Sequence, residues 1–342
     1  WIERNVRRET ADGRYLTDVF TAEAVDFVRR HRQELFMLCV MYNAPHSPLQ
    51  APDEVVQPYL DAGMSPGVAI TYAMNEIMDR GVGQIAQTLD ELALRDDTIL
   101  MFTSDNGPAF NLRPDQVPEG MDTNTLRYNC GFNGQKGSVY EGGIRVPMIM
   151  NWPGGLEGGR RVDDLVHATD WLPTLANVCG VERPGGRPLD GCDALPILRG
   201  SGAEAPARFW QLNAQQPVGW INAAMRAGPW KLVRPRLAEK PQSDADQRLM
   251  DRYVEMDIRY KYHPDEVTTL MDDPDPQLIT PPPIAPELYN IEHDSEENNN
   301  LAESEPERTS SMLGALQDWF DGVEAERRRI QPDGSIVELA DK

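Results

Sequence analysis

Thr98 to Phe102 reads Thr-Ile-Leu-Met-Phe, a short and nearly unbroken apolar run that ends within two residues at Ser104-Asp105-Asn106-Gly107. A run of that length with β-branched residues predicts a buried strand of an α/β sheet. The polar cluster behind it predicts a turn. In open α/β sheets ligands lie beyond the carboxyl ends of the strands, which is where Asp105 and Asn106 stand. A carboxylate beside a side-chain amide offers two hard oxygen donors, suited to Ca²⁺ or Mg²⁺ rather than to zinc. The same pair also suits a tight turn in which each side chain bonds its own backbone. These residues alone leave both readings open.

The surrounding pattern repeats that logic. Leu35 to Tyr42 is wholly apolar and predicts a second buried strand, stopped at Pro45, which has no N–H to extend a ladder. His46 then also follows a strand's carboxyl end. A first helix is expected from Thr21 to about Gln33 on the stripe Ala24, Val25, Phe27 and Val28. Pro66 to Arg95 places Ile70, Met74, Ile77, Ile85, Leu89 and Leu92 at helical spacing. Gly81 and Gly83 weaken that helix by about 1 kcal/mol each but admit close packing. The order predicts β-α-β with parallel strands and a right-handed crossover. Val146 to Trp152 is a further strand, and Thr169 or Asp170 starts a helix through Val178 with Pro173 in its first turn.

After Gly200 the texture changes to short strand-like runs at 209–212, 221–226 and 230–234, a smaller antiparallel sheet. Two regions are expected, 1–204 and 205–342, the second with a loop-rich insertion at 236–286 that is partly helical around 246–258. Lys231 reads as part of a solvated strand face. Pro306 to Arg329 predicts a closing helix with Met312, Leu316, Trp319 and Phe320.

Lys and Arg number 33 against 55 Asp and Glu, a formal charge of -22. That balance argues against nucleic acid and anionic membrane surfaces as partners. It also means that an anionic substrate must be met by a local cluster of cations. No apolar run approaches the roughly 20 residues of a membrane span. Cys39, Cys130, Cys179 and Cys192 match no zinc spacing. Cys39 reads as a small buried hydrophobe, and Cys179 and Cys192 could be bridged. The chain opens on Trp-Ile-Glu-Arg-Asn-Val, with no Met and no signal-type apolar segment, and reads as the middle of a longer chain.

Three stretches flank the Thr-Ser-Asp-Asn-Gly turn: Asn43-Ala-Pro-His-Ser-Pro-Leu-Gln-Ala-Pro52, Gln135-Lys-Gly-Ser-Val-Tyr-Glu-Gly-Gly-Ile-Arg-Val-Pro147 and Asp170-Trp-Leu-Pro-Thr174. Their order and spacing resemble the type I, formylglycine-dependent sulfatases of the alkaline phosphatase superfamily, over about Phe20 to Phe320. Glu287 to Ala302 resembles that family's C-terminal signature. The resemblance implies an alkaline-phosphatase-like, mostly parallel sheet flanked by helices, with a smaller C-terminal antiparallel sheet and helix. It implies a sulfuric ester hydrolase acting on a sulfated small molecule or, from the texture of the C-terminal region, a sulfated glycan. Asp105 and Asn106 take the places of two calcium ligands, with Ca²⁺ ahead of Mg²⁺. Lys136 and His46 take the places of the catalytic and substrate-binding lysine and histidine at the sulfate. Glu141 and Arg145 read as structural residues near the site, holding the turn that positions Lys136. The family also implies a periplasmic or secreted protein, while the sequence itself leaves export open.

The nucleophile motif is not found. The family pattern is Cys or Ser, any residue, Pro or Ala, any residue, Arg, and no cysteine fits it. Ser304-Glu-Pro-Glu-Arg308 fits by letter but follows every other motif and reads as a helix start. The paired N-terminal aspartates of the calcium shell and a Gly-Lys-x-His segment are absent as well. The expectation is therefore a chain whose formylglycine lies upstream of Trp1, made there by a formylglycine-generating enzyme. Alone, such a chain would bind metal weakly and hydrolyse nothing. Two other readings stay open: a phosphonate or phosphate monoester hydrolase of the same superfamily, and a non-catalytic sulfatase-like binding domain.

Overall fold

The computed structural model describes residues 2–4, 7–9, 13–182, 189–202, 204–213, 217–263, 266–267 and 273–330. In chain order the elements are β1 (Ile2–Arg4), β2 (Arg7–Glu9), α1 (Leu16–Arg30), α2 (Asp53–Asp61), α3 (Pro66–Glu91), β3 (Leu100–Thr103), a single turn α4 (Glu141–Ile144) and β4 (Met148–Asn151). They continue with α5 (Trp171–Val178), α6 (Leu195–Leu198), β5 (Arg208–Gln211), β6 (Ala223–Ala227), β7 (Trp230–Arg234) and β8 (Lys240–Pro241). The last are α7 (Asp244–Tyr262), β9 (Leu278–Ile279), β10 (Glu287–Asn290) and α8 (Pro306–Arg327). The chain forms two compact units, 1–129 with 146–204, and 130–145 with 205–342. No described helix is long and apolar enough to cross a membrane.

In the first unit α3 is the spine. Pro66 occupies its first turn, where a missing N–H costs nothing. Ala69, Ile70, Ala73 and Met74 pack with Ala44, Leu49 and Val56 of the preceding segment and α2. Further along, α3 meets α1 through Gly81, where any side chain would strike Thr21 Oγ1 and Tyr42 Oη. The close packing expected of Gly81 is thus made against a helix rather than a sheet. Thr21 does not cap α1. It lies inside the helix, which starts at Leu16, and its hydroxyl bonds the Thr17 carbonyl at 2.9 Å and the Tyr42 hydroxyl at 2.8 Å.

Two expectations for this unit are corrected. Leu35 to Tyr42 forms no strand, because the described residues offer it no partner. Its exposure still alternates with a period of two: Leu35, Met37, Cys39 and Met41 are exposed, while Phe36, Leu38, Val40 and Tyr42 are partly buried. β3 does form, but it pairs antiparallel with β4, Leu100 opposite Asn151 and Thr103 opposite Met148. No parallel pair occurs among the described residues. The cysteine readings are corrected too. Cys39 lies on the bare side of its segment, and none of the four cysteines is in a disulfide. Cys192 is tied by its N–H to Asp170 Oδ1 at the start of α5, and Cys179 lies just past its end.

In the second unit the small sheet is antiparallel, as expected, in the order β10-β7-β6-β5. One face carries Met225, Leu232 and Leu288 against Met312 and Leu316 of α8. Trp319 of that helix stacks on Phe209, with ring centroids 5.1 Å apart. Val233, Ala224 and Tyr289 point the other way and meet Val139. Residues 130–145 therefore cover the sheet's second face. The insertion is more regular than its charge suggested: α7 is a 19-residue helix capped by Ser243, over a short β8–β9 ladder. Part of it, 264–265 and 268–272, lies outside the described residues.

Gly81→Ala is expected to lower stability by about 1–3 kcal/mol through overpacking against Thr21. Gly83→Ala, with open space at that position, should raise it by up to about 1 kcal/mol. Urea unfolding midpoints of the two variants would move in opposite directions.

Candidate functional site

The candidate residues fall on both units. In the first, β3 delivers the chain to Ser104-Asp105-Asn106. Asn106 Nδ2 donates to the Gly107 carbonyl at 3.0 Å, and Ser104 Oγ donates to the Asn106 carbonyl at 3.1 Å. This is the self-bonded turn that the composition allows. It does not consume the acceptors, since Asn106 Oδ1 and the exposed Asp105 carboxylate have no hydrogen bond or ion pair among the described residues. His46 sits on an exposed turn between the cis peptide bonds Ala44–Pro45 and Ser47–Pro48. Its Nδ1 lies 2.6 Å from the Ser47 carbonyl, which can only accept, so Nδ1 carries a hydrogen, and a proton passed to a substrate would leave from Nε2.

In the second unit, Gln135 to Ser138 is a closed turn. Ser138 N–H donates to the Gln135 carbonyl at 3.0 Å, and Ser138 Oγ bonds both the N–H and the carbonyl of Gln135. Gly137, the third residue, has φ +89°, which the third position of a type II turn requires and glycine supplies without strain. Lys136 stands exposed at the tip. The loop lies directly on α4: Gly142 N–H donates to the Asn133 carbonyl at 2.6 Å. A Cβ on Gly142 would come 2.5 Å from the Asn133 and Gly134 carbonyl oxygens, and one on Gly143 would overlap the Ser138 carbonyl. The Gly-Gly pair is there because backbone packs on backbone.

Beneath this turn lies a buried charge cluster. Lys231 is 0% exposed, and its Nζ is 2.8 Å from Glu141 Oε1 and 2.8 Å from Glu297 Oε1. The second contact is an ion pair without hydrogen-bond alignment. Glu297 Oε2 accepts the backbone N–H of Glu141 at 2.7 Å. Glu141 Oε2 lies 3.5 Å from Arg145 NH1, and that guanidinium sits 4.9 Å over the Phe132 ring. The solvated face expected for Lys231 is corrected, because 130–145 covers it. Burial raises the Glu297 carboxyl above its ordinary value, opposed by Lys231. The Tyr140 hydroxyl donates to Glu287 Oε2 at 2.6 Å, and Tyr289 donates to the same oxygen at 2.8 Å. Burial, then that carboxylate, pushes both phenols upward.

Asp105 and Asn106 together present two or three oxygens, short of the roughly 6–8 that calcium takes. No group of three His, Cys, Asp or Glu side chains among the described residues could hold a metal ion. The described residues therefore do not by themselves make a calcium site. His167 has a structural place: its Nδ1 meets the Thr169 hydroxyl at 2.8 Å, and its N–H donates to buried Asp170. Sequence reasoning missed Glu297 and Asn222. Asn222 is buried with φ +49°, and an asparagine in a turn was the only signal available for it.

The sulfatase family profile matches residues 1–181, more than half of the chain. A second profile, the C-terminal part of N-sulphoglucosamine sulphohydrolase, matches residues 132–234. Steryl-sulfatase of Rattus norvegicus is 35% identical over 227 residues, 66% of this chain and 36% of that protein. The uncharacterized sulfatase YdeN of Escherichia coli K12 is 28% identical over 324 residues, 93% of this chain and 52% of that protein. The crystal structure of Ps i-CgsB aligns with a TM-score of 0.66 and 25% identity, over 91% of this chain and 56% of that one. The chain thus spans about a third to a half of the length of these curated relatives.

Replacing Lys231 by Met should leave two buried carboxylates facing each other and cost roughly 3–5 kcal/mol. Without Lys231 the cluster favours protonated carboxyls, so the folded state binds protons more tightly than the unfolded state. The deficit is then largest at neutral pH and shrinks toward the ordinary carboxyl range. Urea titrations at about pH 7.5 and about pH 5 would show a smaller loss at the lower pH.

Proposed function

The chain belongs to the sulfatase family, and from that premise we propose that the protein containing it hydrolyses sulfuric esters, with a sulfated carbohydrate as substrate. The observation that carries the reading is the Lys136 turn: an exposed ammonium on a closed turn that is backed by buried hydrogen bonds and ion pairs. The carbohydrate assignment draws support from the match of 132–234 to the profile named for an N-sulphoglucosamine sulphohydrolase.

Hydrolysis breaks the bond from sulfur to the ester oxygen and places negative charge on the sulfuryl and leaving oxygens. Fixed cations aimed at that charge lower the barrier most. Lys136 takes the role of the cation at a sulfuryl oxygen. His46, protonated on Nε2 while Nδ1 is held by the Ser47 carbonyl, gives its proton to the departing oxygen. The nucleophile in this reading is a formylglycine upstream of Trp1, matured by a formylglycine-generating enzyme, and it supplies the attacking oxygen. Asp105 and Asn106 are read as two of the oxygen ligands of a Ca²⁺ ion whose other ligands also lie upstream. Glu141 and Arg145 hold the Lys136 turn and touch no substrate.

The test is to express the chain behind its upstream coding segment, together with a formylglycine-generating enzyme, and to assay a panel of sulfate and phosphate esters. Sulfate release is expected from the complete protein and none from the present chain alone. Lys136→Ala and Asp105→Ala should each lower kcat/KM by roughly 100-fold or more. Unchanged turnover in either variant overturns the site assignment. Preferred turnover of phosphate esters would move the protein to the phosphate or phosphonate hydrolases of the superfamily. No turnover of any ester would make it a binding domain.

A further inference from the structure

Asn222 belongs to none of the motifs, yet its side chain bonds the backbone of the Lys136 turn directly. It lies just before β6 and is 2% exposed. Its Nδ2 donates to the Gly137 carbonyl at 3.0 Å and to the Leu212 carbonyl at 2.9 Å. Its Oδ1 accepts from the Val139 N–H at 3.2 Å. Its own N–H donates to the Pro235 carbonyl at 3.1 Å, and its carbonyl accepts from Leu212 N–H at 3.1 Å. The side chain thus fastens the backbone on both sides of Ser138 to the end of β5, while the backbone N–H of the same residue holds the end of β7.

We propose that Asn222 is a positioning residue for Lys136, setting the direction in which the ammonium projects; this rests on the reading of Lys136 as the cation at the sulfate. The physical basis is leverage. The Gly137 carbonyl belongs to the peptide that follows Lys136 by one residue, and Ser138, between the two fastened groups, closes the turn onto Gln135. Fixing the Gly137 carbonyl and the Val139 N–H therefore fixes the plane of the turn. Side chains of Asn type are also the ones that reach φ +49° most readily outside glycine. Its geometry lets one residue meet the conformational demand and the hydrogen-bonding demand together. The Lys231 cluster acts on the other side of the turn, through Glu141 and α4, and leaves the Gly137 carbonyl to Asn222.

Asn222→Gly tests this without a conformational penalty, because glycine accepts the same φ. In the present chain the variant should fold, with hydrogen exchange at the Val139 amide at least about tenfold faster and the Gly142 amide unchanged. In the complete protein, assayed on an activated aryl sulfate, kcat/KM should fall by roughly 10- to 100-fold, the scale of a displaced catalytic group. Added to Lys136→Ala, the same change should cost less than about twofold, because the group it positions is gone. Equal losses in both backgrounds mean a general structural role and overturn the proposal, as does unchanged Val139 exchange or unchanged activity of the single variant. If Lys136→Ala itself leaves turnover intact, the reading of Lys136 falls and the proposal with it. An additive cycle with a damaging Lys136→Ala removes the proposal alone.

Discussion

The ammonium of Lys231, closed off from water between Glu141 and Glu297, is the interaction on which the second unit depends. A buried lysine is tolerated only when its charge is matched, and here two carboxylates on different segments do so. One of them begins α4 and the other lies in the 287–302 stretch that follows the start of β10. β7, the segment 130–145 and the stretch after β10 are therefore joined at one point. Glu297 joins them twice, since its second oxygen takes the Glu141 N–H. Such a cluster adds little net stability over an apolar core, but it penalises any arrangement that separates its members. That penalty suits a loop whose tip must be presented in one orientation.

Much of this was legible in the sequence where the signal was local. The helix from Pro66, the strands at 230–234 and the closing helix from Pro306 follow from spacing and from proline's place in a first turn. The turns carrying Asp105 and Lys136 announce themselves by Asn, Gly and Ser. Lys231 could not be read in this way. Alternation along β7 assigns it to the face opposite Leu232, and nothing nearby says that residues ninety positions earlier cover that face. Asn222 escaped for the same reason, since its partners are the backbone groups of Gly137 and Val139.

Where the reading failed, composition was right and partnership was wrong. Leu35 to Tyr42 has the apolar content of an interior strand and even its two-residue alternation, but a strand exists only by pairing. β3 found a neighbour in β4 and paired antiparallel. Both results concern which segments are available to pair, a non-local matter that propensity does not encode.

The bare side of 35–41 carries a practical consequence. Leu35, Met37, Cys39 and Met41 line up toward solvent next to backbone that pairs with nothing described. A strip of this kind is adhesive, and in concentrated solution it invites other chains to stack along it edge to edge. Acidity elsewhere on the surface opposes such clumping only while ionic strength is low enough for like charges to repel. Handled by itself, the polypeptide is therefore best kept dilute, reduced and in little salt.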